Sequence, residues 1–275
     1  MSSDANKTRP GRTDRRRARP VHSQVRSPFI DRRIGSLNVL SDEGLELIEH
    51  NADKILRKIG MEFHDDPEIL AIFTNAGCDV DGNRVRFETG FCRETIRRSA
   101  PPSYVQHARN SGNSVKIGGS ATVLCPSWGP PFVHDLDGRR RYAKHEDFVR
   151  LVKLHHTIPW LHHSGGVVCE PVDIPANKRH LDMLYAHIRW SDRPFMGAFI
   201  GEERASHTID MARILFGEDF VAENPVLYCV SNTNAPLVMD ANMSGALKTY
   251  ARANQPVACT PWVLTGAMSP CTVAG

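Results

Sequence analysis

Residues 164–188, from Ser164 to Ile188, read SGGVVCEPVDIPANKRHLDMLYAHI. The opening run Gly165-Gly166-Val167-Val168-Cys169 is short and apolar, of strand type, with glycines at one end. Asp173 is placed to cap a helix and Pro175 to sit in its first turn, which predicts a helix over Ile174–Trp190. Leu181, Leu184, Tyr185 and Ile188 are spaced i, i+3, i+4, i+7 and predict its inward face. A buried strand feeding a one-sided helix is a βα unit, and the pattern recurs downstream.

The first strand is expected near Trp160–Cys169. A second strand is predicted at Pro194–Ile200, followed by a helix over Glu203–Phe216 with Met211, Ile214 and Leu215 inward. A third strand, Val226–Val230, leads into Ser231-Asn232-Thr233-Asn234, and Asp240–Ala253 reads as a helix with Met243, Ala246, Leu247 and Tyr250 toward the core. Val257–Thr260 is a fourth strand, followed by Pro261-Trp262. Strand–helix units of about 30–35 residues indicate parallel βαβ connections. A dinucleotide fold is disfavoured, because no G-x-G-x-x-G follows a strand and Gly201 is followed by Glu202-Glu203, which repel a phosphate. The fold class expected is α/β, a (β/α)8 TIM-type barrel with sites in the loops after the strands. Such a barrel takes about 250 residues, and 118 remain from Ile158 onward. The expectation is therefore that about the first four βα units of a longer protein are present.

Upstream, the rhythm differs. Ser41 caps a helix whose apolar face is predicted to be Leu45, Ile48, Ala52, Ile55, Leu56 and Ile59, stopped by Gly60. Pro67–Asn75 reads as a shorter helix, and the sequence around Asp81-Gly82-Asn83 as a hairpin. A further helix is predicted from Thr89 to Arg98. Strand-like segments broken by Gly118-Gly119, Pro130-Pro131 and Asp137-Gly138 follow, then a helix from Lys144 to His156 with Phe148, Leu151, Val152 and His155 on one side. These boundaries divide the chain into a basic tail (1–40), an α+β region (41–157) and the first half of a barrel (158–275).

The formal charge of +3 conceals an asymmetry: residues 1–40 hold 10 Lys and Arg against 3 Asp, and the remainder is net acidic. The tail around Arg15-Arg16-Arg17 is poor in apolar residues and reads as a solvated arm; it lacks the aromatic interleaving of a nucleic-acid segment. No apolar run approaches the roughly 20 residues of a membrane span, and the N-terminus has no apolar signal region. Seven cysteines without C-x-x-C fit a reducing cytoplasm better than a disulfide framework.

In a barrel, the residues following the strands share one mouth: Glu170, Gly201 with Glu202, Asn232 with Asn234, and Trp262 with Thr265. Two neutral amides, two carboxylates and an indole suit a polar or cationic small molecule. Trp262 is placed to face a quaternary ammonium by cation–π attraction, worth about 0.5–2 kcal/mol, and Trp128 to supply another wall. A zinc reading draws on His155-His156, His162-His163, Cys125, Cys169, Cys229, Cys259 and Cys271, but none of their spacings is a ligand motif, and buried structural cysteine accounts for them more simply. No G-x-S-x-G nucleophile elbow occurs. The residues by themselves lead to a small-molecule enzyme of barrel type.

Several stretches taken in order resemble the trimethylamine:corrinoid methyltransferase family. They are Ile59-Gly60-Met61-Glu62-Phe63-His64, Asp81-Gly82-Asn83-Arg84-Val85, Gly129-Pro130-Pro131-Phe132-Val133-His134-Asp135-Leu136-Asp137-Gly138 and Ser164-Gly165-Gly166-Val167-Val168. The series continues with Arg179-His180-Leu181-Asp182-Met183-Leu184-Tyr185, Pro194-Phe195-Met196-Gly197, Asn232-Thr233-Asn234-Ala235-Pro236 and Gly266-Ala267-Met268-Ser269-Pro270, so that the likeness runs from about 40 to 275. The resemblance implies a TIM-type barrel holding a methylated amine beneath a corrinoid carried by a separate protein. In such enzymes cob(I)alamin attacks an N-methyl carbon in line, releasing the demethylated amine.

That chemistry asks for positioning of a cationic ammonium rather than acid–base help. The substrate-binding residues expected are Trp128, Gly165, Gly166, Glu170, Asn232, Asn234 and Trp262, with catalytic residues beyond Gly275 and no bound metal. The expected partners are a cognate corrinoid protein and a methylated amine, with no nucleic acid or membrane, in a cytoplasmic homo-oligomer of the full-length protein. Family members acting on trimethylamine carry pyrrolysine at a position beyond Gly275; others are similar to glycine betaine demethylases. Zinc–thiolate methyl transfer by the strand cysteines, and a non-catalytic amine-binding fragment, are the alternatives.

Overall fold

A computed structural model describes residues 27–35, 37–234, 236–261 and 263–272; the basic tail over 1–26 and Trp262 lie outside the described residues. In chain order the first part contains β1 (Ile30–Asp31), α1 (Asp42–Lys58), β2 (Met61–His64), α2 (Pro67–Asn75), β3 (Asp79–Asp81), β4 (Arg84–Arg86) and α3 (Phe91–Ser99). After these come β5 (Ser103–Gln106), β6 (Val115–Gly118), β7 (Ala121–Thr122), β8 (Phe132–His134), β9 (Arg140–Tyr142) and α4 (His145–Thr157).

The first helix forms where its cap predicts. Ser41 Oγ accepts from the Gly44 N–H at 3.2 Å, and Asp42 and Glu43 lie in the first turn of α1. Gly60, with φ +75°, turns the chain out of α1 where a Cβ would fall 2.3 Å from the Val85 carbonyl oxygen. The predicted apolar face of α1 does not go inward as a whole: Ile48 is 54% and Ile59 50% exposed, and Leu56 alone of the set packs on the core of Phe63, Ile69, Val85 and Phe87. The reason is electrostatic. Arg93 of α3 pairs with the buried Asp53 and with Glu49 at 3.0 Å, so the side of α1 carrying residues 49, 53 and 56 faces the body. The hairpin around Asp81-Gly82-Asn83 forms as predicted, with Gly82 at φ +59° between antiparallel β3 and β4. The Asp135–Gly138 turn likewise joins antiparallel β8 and β9.

The second part holds α5 (Arg179–Trp190), β10 (Phe195–Met196), α6 (Glu202–Phe216), α7 (Glu218–Glu223), β11 (Leu227–Thr233), β12 (Val238–Asp240), α8 (Ala241–Arg252) and β13 (Val257–Pro261). β10, β11 and β13 form a parallel sheet in that order. The predicted first strand is irregular: it makes two ladder bonds to the segment entering β10, from Ser164 N–H to the Pro194 carbonyl (2.8 Å) and from Met196 N–H to the Gly165 carbonyl (2.9 Å). It then bends, because Val168 N–H bonds back to the Gly166 carbonyl at 2.9 Å. The described residues thus hold small sheets and no closed barrel. Among them no helix is long and apolar enough to cross a membrane.

Three details of the predicted βα units change. The helix expected from Ile174 begins at Arg179, since Asp173 caps α4 instead: its carboxylate accepts from the His145 N–H at 2.8 Å. Its buried residues are His180, Leu184, Ala186 and His187, while Tyr185 is 57% exposed. In α6 Met211 and Leu215 pack half-buried against the core as expected, but the fully buried residues are Ala205, Thr208, Ile209 and Ala212, and Ile214 points to solvent. Small residues there let α6 approach α8 and the sheet, where Leu227, Cys229, Ala246 and Tyr250 complete one core.

The α+β region and the βα units share structure. β12, in the connection after β11, pairs in parallel with β2, Val238 opposite Glu62 and Asp240 opposite His64. Gln106, at the end of β5 and fully buried, donates from Nε2 to the Phe195 carbonyl at 3.0 Å beneath β10.

Candidate functional site

The parallel strands alternate their side chains between two faces. On β11, Leu227 and Cys229 go to the helix side, and Val230 and Asn232 go to the other side, where they line a cavity of about 700 Å³. Gly166, Met196, Ala198, Thr260 and Pro261 line the same cavity. Trp128 reaches it because its loop is laced to the first βα connection: Gly129 N–H donates to the Val167 carbonyl at 2.7 Å, and Glu170 N–H to the Pro130 carbonyl at 2.9 Å.

Of the residues expected to bind substrate, the structure brings together Trp128, Gly166, Glu170 and Asn232 around this cavity. Gly165 is adjacent but packs against Pro126 and Val168 at φ +93°. Asn234 does not line the cavity. Its side chain clamps the turn into α8, with Oδ1 accepting from the Asp240 N–H (3.0 Å) and Nδ2 donating to the Asp240 carboxylate (3.1 Å). Trp262 is outside the described residues. Gly201 and Glu202 sit at the start of α6, where Gly201 N–H donates to the Asn242 carbonyl at 3.0 Å, and Thr265 bridges to Ser269.

Glu170 is not a free carboxylate. Its Oε1 is paired with the Arg179 guanidinium, which also holds the Ile174 carbonyl at 3.0 and 3.2 Å. The mouth is therefore close to neutral on that side. His180 and His207 lie in hydrogen-bond contact, Nε2 to Nδ1 at 3.0 Å, with their rings stacked at 5.3 Å. Burial, followed by the positive charge of Arg204, holds His180 below its ordinary pKa. Arg204 lines the cavity and forms no ion pair among the described residues. Asn232 and Thr260 are direct partners across β11 and β13, and the Thr260 hydroxyl donates to Asn232 Oδ1 at 2.5 Å.

Beneath this rim two buried histidines hold the glycine-rich segment. His187 accepts from the Ser164 hydroxyl at Nδ1 (2.7 Å) and donates from Nε2 to the Gly166 carbonyl (2.7 Å). His163 accepts the Gly165 N–H at Nδ1 (2.9 Å) and donates from Nε2 to Gln106 Oε1 (3.2 Å). Both contacts need the neutral ring, and burial pushes His187 down to about 4 and His163 to about 3. Burial also drives the thiols of Cys125, Cys169 and Cys229 up to about 12, and the described residues bring no three of His, Cys, Asp and Glu together around a metal-sized space.

Arg179, His180, His187, Arg204 and Thr260 were not anticipated. Arg179 was legible in part, since an arginine shortly after a strand-end glutamate is a natural partner for it. The histidines carry no sequence signal, because their partners, His207 for His180 and the Ser164 hydroxyl and Gly166 carbonyl for His187, are brought in by packing.

A family model described as trimethylamine methyltransferase (MTTB) matches residues 6–275. A glycine betaine methyltransferase of Desulfitobacterium hafniense (strain Y51) is 41% identical over 239 residues, covering 86% of this chain and 50% of that protein. A proline betaine:corrinoid methyltransferase of Eubacterium limosum is 23% identical over 258 residues, covering 90% of this chain and 52% of that protein. The chain spans about half the length of these curated relatives. A match over nearly its whole length, with the ordered motifs above, means that the chain belongs to the trimethylamine methyltransferase (MTTB) family.

Proposed function

We propose that this chain contributes the amine-binding half of an enzyme that moves a methyl group from a quaternary amine of the betaine type to the corrinoid of a separate protein. Its parallel strands are, in this reading, the first part of a (β/α)8 barrel whose mouth is the cavity described above. The observation that carries the reading is the character of that cavity: Trp128, Met183, Met196, Val230 and Phe199 surround it, and its lining glutamate is neutralised by Arg179. Such a lining binds and orients a methylated cation without competing for a proton. The two relatives named for betaines support the same substrate class.

The corrinoid on the partner supplies the nucleophile that accepts the methyl group. Ile200, a lining residue that is 42% exposed, is an apolar group fit to meet a flat macrocycle. This chain's residues hold the ammonium by its methyl surface, fix its orientation and keep water from the reacting carbon. The rival reading, zinc–thiolate chemistry, needs strand cysteines gathered with further ligands, and among the described residues no three of His, Cys, Asp and Glu are grouped so as to hold a metal ion. The test is to incubate the full-length protein anaerobically with a corrinoid protein held as cob(I)alamin and glycine betaine, following methylcobalamin absorbance. Absence of that signal with glycine betaine, proline betaine and trimethylamine alike overturns the proposal.

A further inference from the structure

Asn232 is anchored in a way that decides which end of a substrate it can meet. Its Oδ1 is occupied by the Thr260 hydroxyl at 2.5 Å, and the two residues are direct partners on the cavity face of adjacent parallel strands. An amide has one acceptor oxygen and two N–H donors on its nitrogen. With the oxygen turned to Thr260, Nδ2 is left without a partner among the described residues, and Asn232, half-buried, lines the cavity. A quaternary ammonium carries no N–H and attracts the negative end of a dipole, so an amide nitrogen is the wrong group for it. An oxygen acceptor is the right one.

Arg204 lines the same cavity, hydrogen-bonds the Ala176 carbonyl at 3.3 Å and has no carboxylate partner among the described residues. Glu170, the carboxylate that lines the same cavity, is taken by Arg179. The lining therefore offers an indole at Trp128 for a cation, and an oriented amide donor plus an unpaired guanidinium for an anion.

We infer that Asn232, held by Thr260, is the specificity-determining donor for the carboxylate of a zwitterionic quaternary amine, with Arg204 supplying the compensating positive charge. This rests on the proposed amine-binding role of the cavity. It separates the roles of residues that the sequence groups as one amide-and-aromatic lining: Trp128 meets the ammonium, Asn232 the carboxylate. Thr260 is a positioning residue, acting only through the amide it turns.

The experiment is isothermal calorimetry on the full-length protein with glycine betaine and tetramethylammonium as paired probes, repeated for Asn232→Asp, Thr260→Val and Arg204→Gln. A hydrogen bond to a charged group corresponds to about tenfold in affinity or more. Wild type is expected to bind glycine betaine at least about tenfold tighter than tetramethylammonium, and Asn232→Asp to lose that margin while keeping tetramethylammonium binding. Thr260→Val, close to isosteric, is expected to lose several-fold on glycine betaine alone, since a freed amide spends time flipped. Equal loss on both probes, or none, overturns the carboxylate assignment while leaving the amine site intact. Failure of the wild-type protein to bind either probe overturns the amine site and the assignment together.

Discussion

His187 sits where the sequence shows only one more residue of a helix, and it pins the first βα unit by two bonds that need a neutral ring. Its pKa is pushed down to about 4 from an ordinary 6.5, chiefly by burial. A histidine lowered in the folded state takes up its proton more readily when unfolded, so its contribution to stability is full above about 6.5 and drains away as pH falls toward 4. The span corresponds to roughly 3 kcal/mol. Urea unfolding at pH 7 and pH 5 is expected to show a marked loss of stability at the lower pH, reduced in His187→Gln, which keeps a donor but does not titrate. At the cavity the same reasoning separates two sequence-expected residues. Glu170 and Arg179 neutralise each other, so removing the pair together in Glu170→Gln/Arg179→Met is expected to change glycine betaine affinity less than about twofold. Trp128→Leu is expected to weaken it by about two- to fivefold, the loss of one cation–π contact at a half-exposed indole. Calorimetric titration of both variants checks the contrast.

At the scale of elements, the βα rhythm was legible because strand and helix impose different periods on apolar residues, and Gly, Pro and cap residues mark their ends. The helix expected over Pro67–Asn75 forms as α2, capped by the Asp66 carboxylate, and Asp81-Gly82-Asn83 placed a hairpin, both from chemistry within a few residues. Which face of a helix is buried was less legible. In α6 the contact is made by Ala205, Thr208, Ile209 and Ala212 because close approach selects small side chains over the bulky Ile214. Gly197 records the same closeness: a Cβ there would lie 2.2 Å from the Tyr250 hydroxyl and 2.8 Å from Thr208 Cγ2. Gly197→Ala is therefore expected to cost about 1–3 kcal/mol by overpacking. Tyr250→Phe, which removes the 2.7 Å bond to the Ala198 carbonyl, is expected to cost about 1 kcal/mol. Equilibrium denaturation of the two variants and the double variant measures both and their coupling.

For the whole molecule, the contact that matters most joins residues far apart in sequence. Lys248 of α8 donates to Asp66 at 2.7 Å and to Glu68 at 2.8 Å, Ser244 bonds the other Asp66 oxygen, and Arg252 pairs with Glu68. With β12 added to β2, this cluster ties the βα units to the N-terminal sheet. Burial raises the Asp66 pKa, but the bonds from Lys248, Ser244 and the Ile69 N–H outweigh it and hold the carboxyl below its ordinary 3.8. The stabilisation from this carboxylate is therefore present above about 3.8 and lost as pH falls through its folded value. Lys248→Met leaves Asp66, only 6% exposed, without its cation, and is expected to destabilise by about 3–5 kcal/mol. Thermal unfolding of Lys248→Met beside the paired variant Asp66→Asn/Lys248→Met, in which part of the loss should return, checks it.

Sequence alone determined the kinds of element, their order, the parallel strand–helix repeat and the family, because caps, turns, periodicity and ordered motifs are local or additive signals. It also singled out Glu170 and Asn232, since strand ends in a βα repeat fall on one edge, with Trp128 from a neighbouring loop and Gly166 from the ordered motifs. Tertiary structure decided what those residues have left to offer. Glu170 is consumed by Arg179, Asn234 by Asp240, and Asn232 is turned by Thr260 so that its donors remain. A side chain's free hydrogen-bonding capacity is what its neighbours leave unused, and those neighbours are assembled only when the chain packs.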